Sequence, residues 1–187
     1  AGYGGAGAVM DLCGHFRRMA KNNLWANDRL CRAVLALSPG EFEAPRVSFF
    51  PSIAATLNHI LSIDLFYLDM LEEGGVGLRI FDSWTDFDDP VRLAAAQGEC
   101  DRRYLAFCER LSAPDLERRV ATDRGEEGRI LDRIGDLLAQ IFQHDIHHRG
   151  QVHGMLSGTS VAPPQRDEYF LDFDLPRRRD EMRRLGL

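Results

Sequence analysis

The sequence predicts an all-α protein: a four-helix bundle followed by a short C-terminal helix. Three observations carry this. Apolar residues recur at three- to four-residue steps over four long segments, and no series of alternating segments suggests a sheet. Breakers stand where those segments end, at Ser38-Pro39-Gly40, Gly74-Gly75 and Pro163-Pro164. The chain has 187 residues, enough for one full hydrophobic core and too few for two.

The first helix is expected over residues 10–37, with Leu12, Met19, Ala26, Leu30, Ala33 and Leu37 on its apolar side. His15 falls beside Leu12 and Met19, which makes it a core or pocket-edge residue. Pro51-Ser52 opens a second helix that runs to about Glu73. Residues 74–90 read as a loop. Pro90 suits a first helical turn, so a third helix is expected from there to about Leu111. Residues 114–128 are polar, with room for a short hairpin around Gly125. The fourth helix is expected from Gly128 or Arg129 to Leu156. A tail with Tyr169, Phe170 and Phe173 precedes the short basic helix. The Gly-rich leader, residues 1–9, is expected to be disordered, and residues 10–187 to form one domain.

Composition removes several functions. Lys and Arg number 23 against 29 Asp and Glu, a net charge of −6. An acidic chain is poorly suited to neutralising phosphates, so no nucleic-acid partner is expected. The one basic cluster, Arg177 to Arg179 with Arg183 and Arg184, is broken by Asp180 and Glu181 and reads as a solvated helix face. No apolar run approaches the ~20 residues that span a bilayer. No secretory signal is evident, so a cytoplasmic protein is expected. Cys13, Cys31, Cys100 and Cys108 form no CxxC pair and read as buried free thiols.

The histidines carry the chemistry. On the fourth helix, with His144 at zero, His148 lies at about 40°, Leu137 at about 20°, Ile141 at about 60° and Met155 at about 20°. Both histidines thus point into the bundle. His147 falls at about −60°, on the flank, and His153 at about 180°, facing water. On the second helix His59 is central on an apolar face with Ile63, Phe66 and Met70. Burying one imidazole is ordinary. Burying three without partners costs a few kcal/mol apiece, and a metal ion resolves that directly. The i,i+4 pair His144/His148 shares one face, as in helices that hold zinc. His59 is the third ligand if the second helix neighbours the fourth. Three imidazoles and an open position suit a catalytic rather than a closed site. The alternative is a metal-free ligand-binding bundle with hydrogen-bonded histidines. Asp145 lies at about 100°, off the inward face, so the His144-Asp145 pair is not read as a phosphohydrolase signature.

These residues resemble a known pattern. LWAN (24–27), SIAATLNHIL (52–61), HDIHHRGQVHGML (144–156) and PPQRDEYFL (163–171) are similar to the DinB/YfiT-like family of metal-binding four-helix proteins, over nearly the whole chain from about residue 10. The resemblance implies a divalent metal on His59, His144 and His148, up-down-down-up connectivity and a homodimer. It implies thiol-dependent transfer chemistry in some relatives, though no residue here identifies a thiol substrate. Zn²⁺ or Ni²⁺ suits imidazole ligands. A metal-dependent transferase or hydrolase acting on a small molecule is the first expectation, and a non-catalytic metal-binding stress protein the second.

The neighbours have expected roles as well. Gln151, at about −20°, faces the site. His147 is the nearest general-base candidate. Arg149, at about 140°, reads as a surface or interface salt bridge. Gly150 is expected to admit a neighbouring helix, and Trp25 and Asn58 to pack between helices.

Overall fold

The computed structural model describes residues 11–187; the expected disorder of the leader lies outside the described residues. The helices begin where side chains cap them. Asp11 accepts the Gly14 N–H and starts α1 (Leu12–Leu35). Ser52 Oγ accepts the Ala55 N–H at 3.0 Å and starts α2 (Ile53–Leu71); such a cap contributes about 1 kcal/mol. A single turn, α3 (Arg79–Asp82), sits in the following loop. Asp89 caps α4 (Pro90–Arg110) at 2.8 Å, with Pro90 in the first turn as expected. Next come α5 (Ala113–Glu117), β1 (Arg119–Asp123), β2 (Arg129–Arg133), α6 (Ile134–Leu156) and α7 (Leu175–Leu185).

The long helices α1, α2, α4 and α6 form the expected bundle. Each touches two others: α1 packs on α4 and α6, and α2 packs on the same pair. Side-chain pairs give the directions. Asn58 of α2 meets Phe87, just before α4, and Glu72 meets Arg103 near the α4 end, so α2 and α4 run parallel. Phe16 stacks near Phe142, and Asn23 and Asn27 meet Arg149, so α1 and α6 run parallel. Cys31, Arg32 and Leu35 share a cavity wall with Val91, Ala94 and Ala95, so α1 opposes α4. The connectivity is therefore up-down-down-up. Ile53, Ile60, Leu61, Leu68, Ile134, Leu138 and Ile141 fill the space between, at 0–1% exposure.

Two expectations change. The fourth helix begins at Ile134, not at residue 128 or 129. Arg129–Arg133 instead pairs antiparallel with β1, with Val120 opposite Asp132 and Thr122 opposite Ile130. Gly125 and Gly128, at φ +64° and +80°, turn the chain between the strands. The hairpin is longer than the short one expected around Gly125. It takes five residues from the helix because Val120 and Thr122 are buried against the bundle, which fixes the pairing.

The second change is the rotation of α1. Leu12 is 64% exposed and His15 is exposed, so His15 is not a core residue. The bundle side of α1 is Cys13, Phe16, Ala20, Leu30 and Val34. Trp25 and Ala26 face the C-terminal tail instead, packing on Tyr169. Two apolar contacts on one helix blur a single stripe. The tail is held by polar bonds too: Trp25 Nε1 donates to Glu181 at 2.8 Å, Arg29 Nη2 lies 2.9 Å from the same carboxylate, and Arg184 pairs with Asp28 at 2.6 Å. Among the described residues, no helix is long and apolar enough to cross a membrane.

Candidate metal centre

α2 and α6 pack antiparallel and bring their inward histidines together. His59 Nε2 lies 3.0 Å from His144 Nε2. One nitrogen from each of His59, His144 and His148 falls within a 4.8 Å group that can hold a metal ion. Two ligands at about 2.1 Å from a tetrahedral ion stand about 3.4 Å apart; the His59–His144 pair is closer, at hydrogen-bond distance, so an ion would part the two rings slightly. The expected trio is thus assembled on one spot by two neighbouring helices.

The protonation states favour coordination. Burial, with His148 and His144 beside it, pushes His59 down to about 4. Burial likewise pushes His148 down, against an opposing hydrogen bond from Gln151. A metal takes a neutral imidazole, so both rings are in the ligand form at neutral pH. Phe50, in the loop before α2, covers the group: its ring lies 4.3 Å from His59 and 5.6 Å from His148, centre to centre. Phe49, 80% exposed, and the fully exposed Val47 give that loop an apolar rim.

Gln151 sits where the projection put it. His148 Nδ1 donates to its Oε1 at 2.8 Å, which aims Nε2 at the other histidines. The Gln151 amide then donates to Nε2 of His147 at 3.2 Å. His147 is exposed and on the flank, as expected, and is linked to the trio through Gln151. His153, half-buried, takes no part.

Three neighbours differ from expectation. Arg149 is not a surface salt bridge: it is 4% exposed and donates to Asn23 and Asn27 of α1. A charged residue is almost never buried unless paired; here two amide oxygens of α1 accept its hydrogen bonds and Asp145 lies 3.7 Å away. Asp145, off the imidazole face, is fully buried rather than solvated. A Cβ on Gly150 would meet nothing within 4 Å, so no helix approaches there. Trp25 and Asn58 do pack between elements; Asn58 donates to the Phe87 carbonyl and accepts the Phe87 N–H, at 3.0 and 2.8 Å.

Sequence reasoning overlooked the polar layer behind the histidines. Asp101 of α4 accepts from Asn27 at 2.9 Å, Asn23 at 3.2 Å and Gln97 at 3.1 Å. Gln97 also donates to Asp64 of α2 at 2.7 Å. Burial raises Asp64 well above the usual carboxylate range, with Asp145 adding to the effect. Burial pushes Asp101 up to about 7, against its hydrogen bond from Gln97. One signal was available: Asp64 interrupts the apolar run ILSIDLF, and Asn23 and Asn27 share a face of α1 at i,i+4 spacing.

Fold and site define a class of protein: a four-helix bundle with three inward imidazoles, from two helices, that can hold a metal ion. The model of the DinB family matches residues 12–178, and the chain belongs to that family. It is 20% identical over 153 residues to Protein DinB of Bacillus subtilis (strain 168), covering 78% of this chain and 88% of that protein. In fold it is similar to the crystal structure of a DinB-like protein, YjoA, from Bacillus subtilis. The TM-score is 0.56 at 15% identity, over 77% of this chain and 91% of that one.

Proposed function

We propose that the chain is a metal-dependent enzyme whose divalent ion is held by His59, His144 and His148. One observation carries the reading: three imidazoles from α2 and α6 converge within 4.8 Å, two of them held neutral by burial. The donor set suits Zn²⁺ or Ni²⁺. When bound, such an ion supplies Lewis acidity that lowers the pKa of water or a thiol. Three protein ligands leave a position for either. The chain's own residues do the rest. Gln151 fixes the tautomer of His148. Phe50 shields one side of the group. The Val47–Phe50 rim gives an apolar approach for a small electrophile. Two reaction types fit: attack of a thiolate on that electrophile with loss of its leaving group, and hydrolysis.

The test is elemental analysis of protein purified without a His-tag, followed by a screen of the loaded protein with small thiols. At least one equivalent of a transition metal is expected, reduced by His59→Ala. Less than about half an equivalent, with His59→Ala making no difference, sinks the reading.

A second reading has one observation in its favour. The general-base candidate, His147, is exposed and its Nε2 is occupied by Gln151. That suits a metal-holding protein without catalysis. Absorption of the Co²⁺-substituted protein separates the two. A spectrum that shifts on adding a thiol marks an open position; one that does not marks a closed shell.

A further inference from the structure

Behind the three imidazoles lies a second convergence of ligand atoms. One atom each from Asp64, His144 and Asp145 falls within 4.8 Å of the others. Asp64 and Asp145 are both fully buried. Among the described residues, Asp64 Oδ1, both oxygens of Asp145 and Nδ1 of His144 are shut off from water with no hydrogen-bond partner when both carboxyl groups are ionised; a proton shared between Asp64 and Asp145 joins those two. A buried polar group without a partner costs about 1–3 kcal/mol, and an ion, a water or that shared proton would remove the cost.

The spacing favours an ion. His144 Nδ1 lies 3.6 Å from Asp145 Oδ1. That is too long for a hydrogen bond, but close to the separation of about 3.4 Å between two ligands of one tetrahedral ion. Charge points the same way. The nearest cation, Arg149, lies 3.7 Å from Asp145 and gives its hydrogen bonds to Asn23 and Asn27. Asp64, Asp101 and Asp145 are three buried carboxyl groups that feel one another's charge, and the guanidinium lies beside Asp145. A divalent cation would offset the charge that Asp64 and Asp145 carry once both have lost their protons.

We propose that Asp64, Asp145 and Nδ1 of His144 form a second, inner site for a divalent cation, next to the three-imidazole site and joined to it by the His144 ring. Two carboxylates and one imidazole suit Mn²⁺, Fe²⁺ or Zn²⁺. The ring then binds one ion through each nitrogen. Its last N–H proton, with any proton shared by the two carboxyl groups, is released to solvent as the ions enter. The shared role of His144 rests on the three-imidazole reading above; the two carboxylates do not.

The test uses the full chain without a tag, stripped with chelator and dialysed against Zn²⁺ and, separately, Mn²⁺. Two equivalents of Zn²⁺ are expected in the wild type. Asp64→Asn, which keeps the shape and removes the charge, should hold one, and so should His59→Ala, which spares the inner set. One equivalent in the wild type, lost in His59→Ala and kept in Asp64→Asn, overturns the inner site and leaves the outer reading standing. One equivalent lost in Asp64→Asn but kept in His59→Ala does the reverse. If Asp64→Asn does not fold, the wild type decides alone. Two Cu²⁺ ions on one imidazole ring couple magnetically, and the spin-resonance signal of an isolated ion disappears. A persistent isolated-ion signal at saturating Cu²⁺ overturns the proposal.

Discussion

Helix α6 carries two polar faces, and they behave differently. One presents His144 and His148 to α2 at the open side of the bundle, under Phe50. The other presents Asp145 and Arg149 to the middle of the bundle, where Asn23, Asn27, Asp101 and Asp64 wait on three other helices. The first face is an assembly of like groups, held apart from protons by burial, which a cation would draw together. The second is an assembly of opposite and neutral groups that satisfy one another in part. The comparison teaches that two polar clusters of different chemistry can occupy a single helix one residue apart. What separates them is their make-up: imidazoles on one face, and carboxyl groups with one guanidinium and several amides on the other.

The largest expected effect tests the inner face. Arg149→Met leaves the carboxyl groups without their cation and should cost about 3–5 kcal/mol, as breaking buried pairs does. At about 2–4 °C per kcal/mol for this chain length, a thermal melt in chelator should fall by roughly 6–20 °C. A fall of a degree or two would show that Arg149 is not the anchor described. The outer face should respond the other way. His59→Ala should weaken metal binding by about 100-fold or more while the melting temperature in chelator barely changes. A large loss of stability would merge the two faces into one structural unit. Gln151→Leu should come next, with metal binding weaker by about 10–100-fold through the freed His148 ring. Titration with a competing chelator reads both variants.

The smallest effect has the most informative sign. His59 titrates near 4 in the folded chain, below its usual value of about 6.5. Between those values the unfolded chain binds the extra proton, so this face loses stability as pH falls from about 6.5 to 4. Asp101 titrates near 7, above its usual value of about 3.9. There the folded chain holds the extra proton, so the inner face gains stability as pH falls from about 7 to 4 and loses it as pH rises. The two slopes oppose one another. In chelator, urea midpoints between pH 4.5 and 6.5 should rise on acidification in His59→Gln and fall in Asp101→Asn, relative to a flatter wild-type curve. Parallel curves for all three proteins would refute the opposed titrations.

The outer face was legible in the sequence and the inner one was not, for a physical reason. A histidine amid Leu137, Ile141 and Met155 is conspicuous, because periodicity alone says that it faces the core. Arg149 and Asp145 fall on the flanks of that stripe, where solvent is the default environment for a charge. Their partners stand on α1, α2 and α4, and only the packing order of the helices reveals them. The same holds for Arg129–Arg133. Their helical reading fails because Val120 and Thr122, a turn away in sequence, pair with them. The bundle, its breakers and the Pro90 start were all written locally, in caps and spacing.

The cysteines add a practical consequence. All four are buried. Burial pushes Cys31 and Cys108 up to about 12 and Cys100 well above its usual range. A thiol that stays protonated and enclosed reacts slowly with alkylating agents. Electrophiles such as iodoacetamide or maleimides can therefore be offered to the folded protein as trial acceptors, with little self-modification to confuse the readout. An adduct of an added thiol that forms faster with the protein than without it then reports on the protein's chemistry rather than on its own cysteines.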